Sequence, residues 1–418
     1  MKKGYLQTEM GMIPEDWELQ HLGQCLTSPP DYGIGAASVP FDSRYPAYLR
    51  ITDITEDGKF SESTRNSVAH PASSQYLLND GDIVFARTGA SVGKSYLYDQ
   101  KDGALVFAGF LIRVHPDPEK LVPLYLWSFA QTRPFWNWVK TNSVRSGQPG
   151  INGREYASLP IPIPPTPKEQ ELIANALDDT NALIESLENL IAKKREIQKG
   201  AMQELLTGKT RLPGFTGKWG EKRIGEIGYT YGGLTGKSKD DFGRGSSRFI
   251  TFMNIMQNIV IDTNAFEVVD VASGETQNIV AKGDLFFNGS SETPEEVGLC
   301  ALLDEDVINV FLNSFCFGFR LYEEDQANGR YLAYLFRSSE GRELMRSLAQ
   351  GAIRYNLSKA AFLNLIIPFP EYSEQVEIAG VLSDMDAELS SLADRLKKSR
   401  DLREAMMQEL LTGRTRLI

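Results

Sequence analysis

The feature that most constrains this chain is a repeat at long range. Residues 169–212, EQELIANALDDTNALIESLENLIAKKREIQKGAMQELLTGKTRL, align without a gap on residues 374–417, EQVEIAGVLSDMDAELSSLADRLKKSRDLREAMMQELLTGRTRL. About 20 of the 44 positions match, ending in a shared MQELLTG-x-TRL, and the separation of about 205 residues makes the chain a tandem duplication. The segments ahead echo each other more weakly. Trp17 and Trp219 each open a unit, and Gly81-Asp82-Ile83-Val84-Phe85 answers Gly283-Asp284-Leu285-Phe286-Phe287. Each unit closes on a short loop with an asparagine, Gly147–Asn152 and Gly351–Asn356, then leaves through LPIPIPP or LIIPFP. The middles have diverged.

The two repeated segments read as long amphipathic helices. In the first, Leu177, Ile184, Ile191 and Leu205 fall at one heptad position, and Ile173, Leu187 and Ala201 at the other. Leu183, Leu190 and Ile197 are expected to widen the stripe on one flank. The second copy repeats the seam with Leu382, Leu389, Leu396 and Leu410, and with Ile378, Met385, Leu392 and Met406. Thr166-Pro167-Lys168-Glu169 reads as a capping box, and Gly208 and Gly413 sit where a left-handed C-cap belongs. A sustained seam wants a partner helix, and about 38 residues at ~1.5 Å each exceed what one small domain covers. The two helices are therefore expected to pack on each other, antiparallel.

Between them, short strands are expected at 48–52, 82–86 and 111–114, and at 247–251, 284–287 and 317–321. One helical stretch per unit follows, at 123–131 and 330–337. The expected fold class is α+β: two globular domains joined by two long antiparallel helices forming a coiled coil, with a pseudo-twofold internal repeat. The boundaries read as 1–165 and 214–370 for the globular domains, and 166–213 and 371–418 for the helices.

Charge limits what such a chain can bind unaided. The net charge is −11, divided as −2 over 1–165, −1 over 166–213, −5 over 214–370 and −3 over 371–418. No segment is basic overall, so contact with nucleic acid must use local patches, with a partner supplying most of the phosphate grip. The start, MKKGYLQTEMGMIPEDW, is basic but has no apolar core of a signal peptide, and no run could span a membrane. Cys25, Cys300 and Cys316 are scattered, as are His21, His70 and His115, so neither disulfide nor metal spacing is present. A soluble cytoplasmic protein is expected.

Gly89–Ser95 and Gly232–Ser238 resemble phosphate loops. The first has three residues between its glycines instead of four, and the second has Tyr231 where the first glycine belongs, so both read as turns carrying an exposed lysine. Ser28-Pro-Pro-Asp31 has an aspartate where an amino-methyltransferase motif needs an aromatic residue. No catalytic constellation is legible.

With the twice-occurring proline exit and EQ-x-x-IA, at 164–174 and 369–379, and the helix end MQELLTG, the chain resembles the specificity subunit of type I restriction–modification systems. The resemblance covers essentially its whole length. It implies two target-recognition domains, each reading one half of an interrupted sequence in double-stranded DNA, and helices that set the gap. It also implies a non-catalytic subunit that binds no cofactor itself. Two modification subunits would bring S-adenosylmethionine, and restriction subunits would bring ATP and Mg. A coiled-coil scaffold, or a stand-alone DNA methyltransferase or nuclease with a divergent site, are the alternatives.

Reading base edges calls for Arg, Lys, Asn and Gln, with Ser and Thr on phosphates. In the first unit the candidates are Arg87, Thr88, Lys94, Arg145, Ser146, Gln148, Asn152 and Arg154. In the second they are Lys237, Lys239, Asn288, Ser290, Arg354, Tyr355, Asn356 and Lys359. Arg50 and Arg113 lie within expected strands and read as structural. Lys193, Lys194 and Arg195, with Lys397, Lys398 and Arg400, form a basic band at equivalent places on the two helices.

Overall fold

The computed structural model describes residues 4–323 and 325–417; Met1–Lys3 of the basic start, Glu324 and Ile418 lie outside them. The chain forms two compact units, Met1–Glu188 with Asp394–Ile418, and Asn189–Ala393. Two 39-residue helices, Pro167–Leu205 and Tyr372–Leu410, each contribute one segment to each unit.

In the first unit a four-stranded sheet runs in the order Leu26–Tyr32, Leu111–Pro116, Ile83–Ala86, Ser95–Leu97. A second sheet holds Leu105–Phe107 parallel to Ala47–Leu49. Glu18–His21 pairs antiparallel with Pro160–Ile163, the proline exit that leads into the long helix. Ile83–Ala86 is buried on both faces, which is why it reads as an uninterrupted apolar run. Ile83 and Phe85 face one core with the helices Pro123–Phe129 and Arg133–Asn142, and Val84 and Ala86 face another, against the second sheet.

The second unit repeats this order. Gly228–Gly232, Cys316–Leu321, Leu285–Asn288 and Cys300–Leu302 form its four-stranded sheet, and Phe242–Ile250 runs parallel to Val310–Leu312. Gly220–Arg223 pairs with the exit strand Ile366–Phe369. Phe287 is the hub of its core, with ring centroids of Phe317, Phe336 and Phe362 at 5.3, 5.2 and 4.8 Å.

Each unit has more helix than the sequence led us to expect. Arg133–Asn142 and Ser339–Ser347 follow the expected helices, capped by Thr132 and Ser338, and short helices Gly153–Ala157 and Lys359–Leu363 precede the exits.

Within the first unit Thr180 donates to Met406 Sδ at 3.5 Å, and Arg400 to Glu188 at 2.6 Å. Arg416 there joins Glu169 (2.8 Å) and Asp16 (2.9 Å). Within the second, Gln198 donates to Asp386 at 2.6 Å, and Lys194 pairs with Glu388 at 2.7 Å. Arg211 there meets Glu374 at 2.7 Å, and Trp219 Nε1 donates to the same carboxylate at 2.9 Å. As residue numbers rise along one helix their partners fall along the other, so the segments in each unit run in opposite directions. Gly208 (φ 68°) and Gly413 (φ 63°) end the two helices in the left-handed region. At residue 166 only half of the capping box forms: Thr166 accepts from Glu169 N at 3.3 Å, while the Glu169 carboxylate turns to Arg416.

Of the seam, Ile173, Leu177, Leu187, Ile191, Ile378 and Leu382 are buried, and Ile184, Met385, Leu389, Leu392 and Leu396 are half-buried. Burying each of the first six is worth roughly 1.5–3 kcal/mol, and the half-buried five contribute less. Leu183, Leu190 and Ile197 are 39, 39 and 46% exposed, so they do not widen the stripe. A pair of helices covers only the central seam and leaves its flank open.

All three cysteines are buried and free. Burial pushes the Cys25 and Cys300 thiols up, and that of Cys316 up to about 12. A raised thiol pKa means less thiolate at pH 8 than an ordinary cysteine carries. Iodoacetamide at pH 8 is expected to label none of them in the folded protein and all three in urea; one rapidly alkylated native thiol would contradict this.

Candidate nucleic-acid interface

The candidate interface lies where the central strand of each unit leaves the sheet. Past Ala86 the chain continues as Arg87 and Thr88, and the closing loop returns alongside. Gly89 N donates to Pro149 O and Ile151 N to Arg87 O, both at 2.9 Å. Past Asn288 the same device recurs, with Leu357 N donating to Gly289 O at 2.9 Å and Ser290–Ser291 pairing with Tyr355–Asn356. The backbone is thus held in one arrangement in both units, while the side chains on it differ: Arg87 stands where the second unit has Gly289.

In the first unit the Arg87 guanidinium sits 4.8 Å from the centroid of Tyr32, whose hydroxyl accepts from Gly153 N at 3.0 Å. Arg145 reaches Glu155 at 2.5 Å and the carbonyl of Val144 at 2.8 Å. Ser146, Gln148 and Arg154 are exposed, and Thr88 is half-buried. Asn152 serves the backbone. Its Oδ1 accepts from Glu155 N at 3.0 Å, and Glu155 Oε2 accepts from Asn152 N at 2.8 Å, a complete cap for Gly153–Ala157. Its counterpart is Ser358, which accepts from Ala361 N, so the two closing loops correspond with a shift of two residues from the Asn152–Asn356 match that the sequence suggested.

In the second unit Arg354, Asn356 and Lys359 are exposed and Tyr355 is half-buried. The Arg354 guanidinium lies 5.5 Å from the centroid of Phe315. Asn288 departs from expectation. It is fully buried, its Nδ2 donates to Glu296 O (3.0 Å) and its Oδ1 accepts from Leu299 N (2.6 Å), so its amide holds a loop and has none left for a base. Ser290 is also buried, in the ladder beside Asn356.

The two lysines of the phosphate-loop look-alikes are not exposed, which corrects the sequence reading. The side chain of Lys94 is 16% exposed and pairs with Glu56 at 2.8 Å; that of Lys237 is 6% exposed and pairs with Glu275 at 2.6 Å. Lys237, with Gln277 nearby on Thr235, ties down the 272–278 segment rather than the closing loop. Its ammonium, with the Ala272 amide, holds the Glu275 carboxyl down at about 2. Lys239 is exposed on a separate turn. Arg113 is structural, joined to Asp31 at 2.7 Å and to Leu77 O at 2.7 Å. So is Arg50, bound to Asp53 at 2.7 Å just past its strand rather than within it. On the helices Lys194 and Arg400 are paired to glutamates, while Lys193, Arg195, Lys397 and Lys398 are exposed.

The sequence reading missed Tyr32, Phe110 and Phe315. The last two had a signal: their separation is the 205 residues of the helical repeat.

Among the described residues no helix is long and apolar enough to cross a membrane, and no cluster of three or more His, Cys, Asp or Glu side chains could hold a metal ion. The model of the type I restriction modification DNA specificity domain matches residues 47–196 and again 216–398. A putative type I restriction enzyme MjaX specificity subunit of Methanocaldococcus jannaschii is 29% identical over 217 residues, 49% of this chain and 49% of that protein, so the match spans about half the length of each. The MjaVIII specificity subunit of the same organism is 22% identical over 429 residues, 97% of this chain and 94% of that one. Among solved structures, the S subunit of a type I system from M. genitalium superposes with a TM-score of 0.59 at 15% identity, over 94% of this chain and 96% of that one. A chain from a structural study of assembly of a type I R-M system gives 0.53 at 17% identity, over 96% and 98%.

Proposed function

Because the chain belongs to the family of type I restriction–modification specificity subunits, we propose that it is the non-catalytic subunit that chooses the DNA sequence on which a methyltransferase and endonuclease complex acts. Each globular domain, 1–165 and 214–370, reads one half of an interrupted target in double-stranded DNA. The helical segments, 166–213 and 371–418, form an antiparallel coiled coil about a pseudo-twofold axis and set the gap between the halves. Their outer faces, with the exposed Lys193, Arg195, Lys397 and Lys398, dock two modification subunits. S-adenosylmethionine is bound by those subunits, and ATP and Mg by restriction subunits.

The observation that carries this reading is the recurrence of one backbone arrangement, strand exit plus closing loop, bearing different side chains in the two units. Two tips of one shape and different chemistry are what reading two different half-sites requires. The side chains we assign to this reading are Arg87, Arg145, Gln148 and Arg154 in the first domain, and Arg354, Tyr355, Asn356 and Lys359 in the second. The net charge of −11 leaves much of the phosphate contact to partners.

Methylome sequencing of cells with and without the gene tests the proposal. A bipartite adenine motif is expected to vanish with the gene. Unchanged marks, with no methyltransferase co-purifying, would remove the assignment.

A further inference from the structure

Phe110 and Phe315 are 64 and 56% exposed, yet they occupy one and the same position in two otherwise divergent domains. The carbonyl of Phe110 accepts from Arg87 N at 3.1 Å, and that of Phe315 from Gly289 N at 2.9 Å. The next residues match as well: Leu111 O accepts from Gly33 N, and Cys316 O from Gly233 N, both at 3.3 Å. Each turn is pressed onto its glycine. A Cβ at Gly33 would lie 2.2 Å from Ala108 O, and one at Gly233 would lie 2.0 Å from Asn313 O. The backbone of the turn is therefore fixed, and the ring at its tip is held out in water.

Packing gives no reason for a phenylalanine there, since neither ring belongs to a core. A scattered exposed apolar residue needs no explanation, but two at the same structural position do. Their surroundings are cationic. Arg354 lies over Phe315, and the Arg87 guanidinium donates to the carbonyl of Gly109, the residue before Phe110, at 3.5 Å. Two exposed aliphatic side chains lie close by in sequence to the closing loops, Val144 at 72% three residues before the first loop begins and Ile353 at 91% within the second. An apolar tip framed by arginines matches a DNA groove, where phosphates line the rim and base faces and thymine methyls lie within.

We propose that Phe110 and Phe315 insert into the DNA groove and press on the bases of their respective half-sites, as apolar contacts that the neighbouring arginines steer into place. The inference rests on the DNA-reading assignment above. Such a contact releases no counterions, so its loss weakens binding without altering the salt dependence, whereas losing a phosphate-bound cation lowers the slope by about one.

The experiment uses the full chain assembled with its modification subunits, on a duplex carrying the motif found by methylome sequencing, across a salt series. Phe110→Ala and Phe315→Ala are each expected to weaken binding about 10-fold, with an unchanged slope of log Kd against log salt and an unchanged melting temperature. Phe→Leu variants should recover part of the loss. Unchanged affinity, a slope that falls with it, or a lowered melting temperature would each overturn the proposal while leaving the assignment of function standing. If the wild-type complex does not prefer its motif to a scrambled duplex, the assignment itself fails.

Discussion

Seven residues inserted near the middle of each long helix, after Leu190 and after Asp394, are expected to reduce methylation at the parental motif to background. Seven residues keep the heptad seam in phase where four would shift it. On the proposed reading they add about 10 Å to the spacer at ~1.5 Å per residue, which is about three base pairs at ~3.4 Å each. DNA also turns through about 100° over that length, at roughly 10 base pairs per turn, so neither tip would meet its half-site at the original gap. Any sites still modified should carry the same two halves with a longer gap. Methylome sequencing reads both results. Undiminished methylation at the parental gap would show that the helices do not measure it.

The second large effect lies inside one domain. Asp284→Ala is expected to destabilise the second unit by about 3 kcal/mol. Asp284 is fully buried, and its carboxylate accepts from Arg320 Nε and Nη2 at 2.7 Å each, from Tyr231 Oη at 2.5 Å and from Ala281 N at 2.7 Å. The carboxylate raises Arg320 above the ordinary guanidinium value, and burial, with Asp284 beside it, raises Tyr231. Removing the aspartate takes the acceptor from four donor atoms on three residues, of which Arg320 Nη2 keeps a second partner, Ile279 O at 3.0 Å. Arg320 is 34% exposed, so water relieves part of the cost, and the figure sits at the low end for a broken buried pair. Asp82→Ala at the equivalent place in the first unit should cost less. Asp82 accepts from Asn79 N at 2.8 Å and meets His115 at 2.6 Å, but Arg113 keeps its bidentate pair with Asp31. Urea unfolding of the two variants distinguishes them; equal losses, or a loss at Asp284 below about 1 kcal/mol, would contradict this account of the network.

The helices and the central strands were the legible part of the fold, for different reasons. A gapless match at about 20 of 44 positions exposed the helices, and a 3.5-residue period exposed their seam. Ile83–Ala86 and the Leu285–Phe287 part of the strand Leu285–Asn288 stand out because both faces are buried, which writes an unbroken apolar run into the sequence. The parallel pairing of Ala47–Leu49 with Leu105–Phe107 left no such trace, since its partner strands lie far apart in the chain. The helices Arg133–Asn142 and Ser339–Ser347 are amphipathic and short, and they follow their predecessors too closely to be separated by pattern alone.

For the site, the closing loops were legible and the fate of individual side chains was not. Lys237 looked exposed because Glu275, which covers it, lies 38 residues further on. Asn288 looked like a base reader, but its partners come from a loop that folds back over it. Phe110 and Phe315 showed the opposite fault: their spacing was in plain view, and only the structure reveals that the rings face water.

The division of the chain into units carries a consequence for its synthesis. The unit 189–393 is one uninterrupted stretch, whereas the other lacks Leu410, Leu411 and Arg416 until the last of its residues are made. The later-encoded unit can therefore complete its core first, while the earlier one waits with Trp17, Ile173 and Leu177 short of their neighbours. Along this chain, the unit encoded later is the first to have all of its residues.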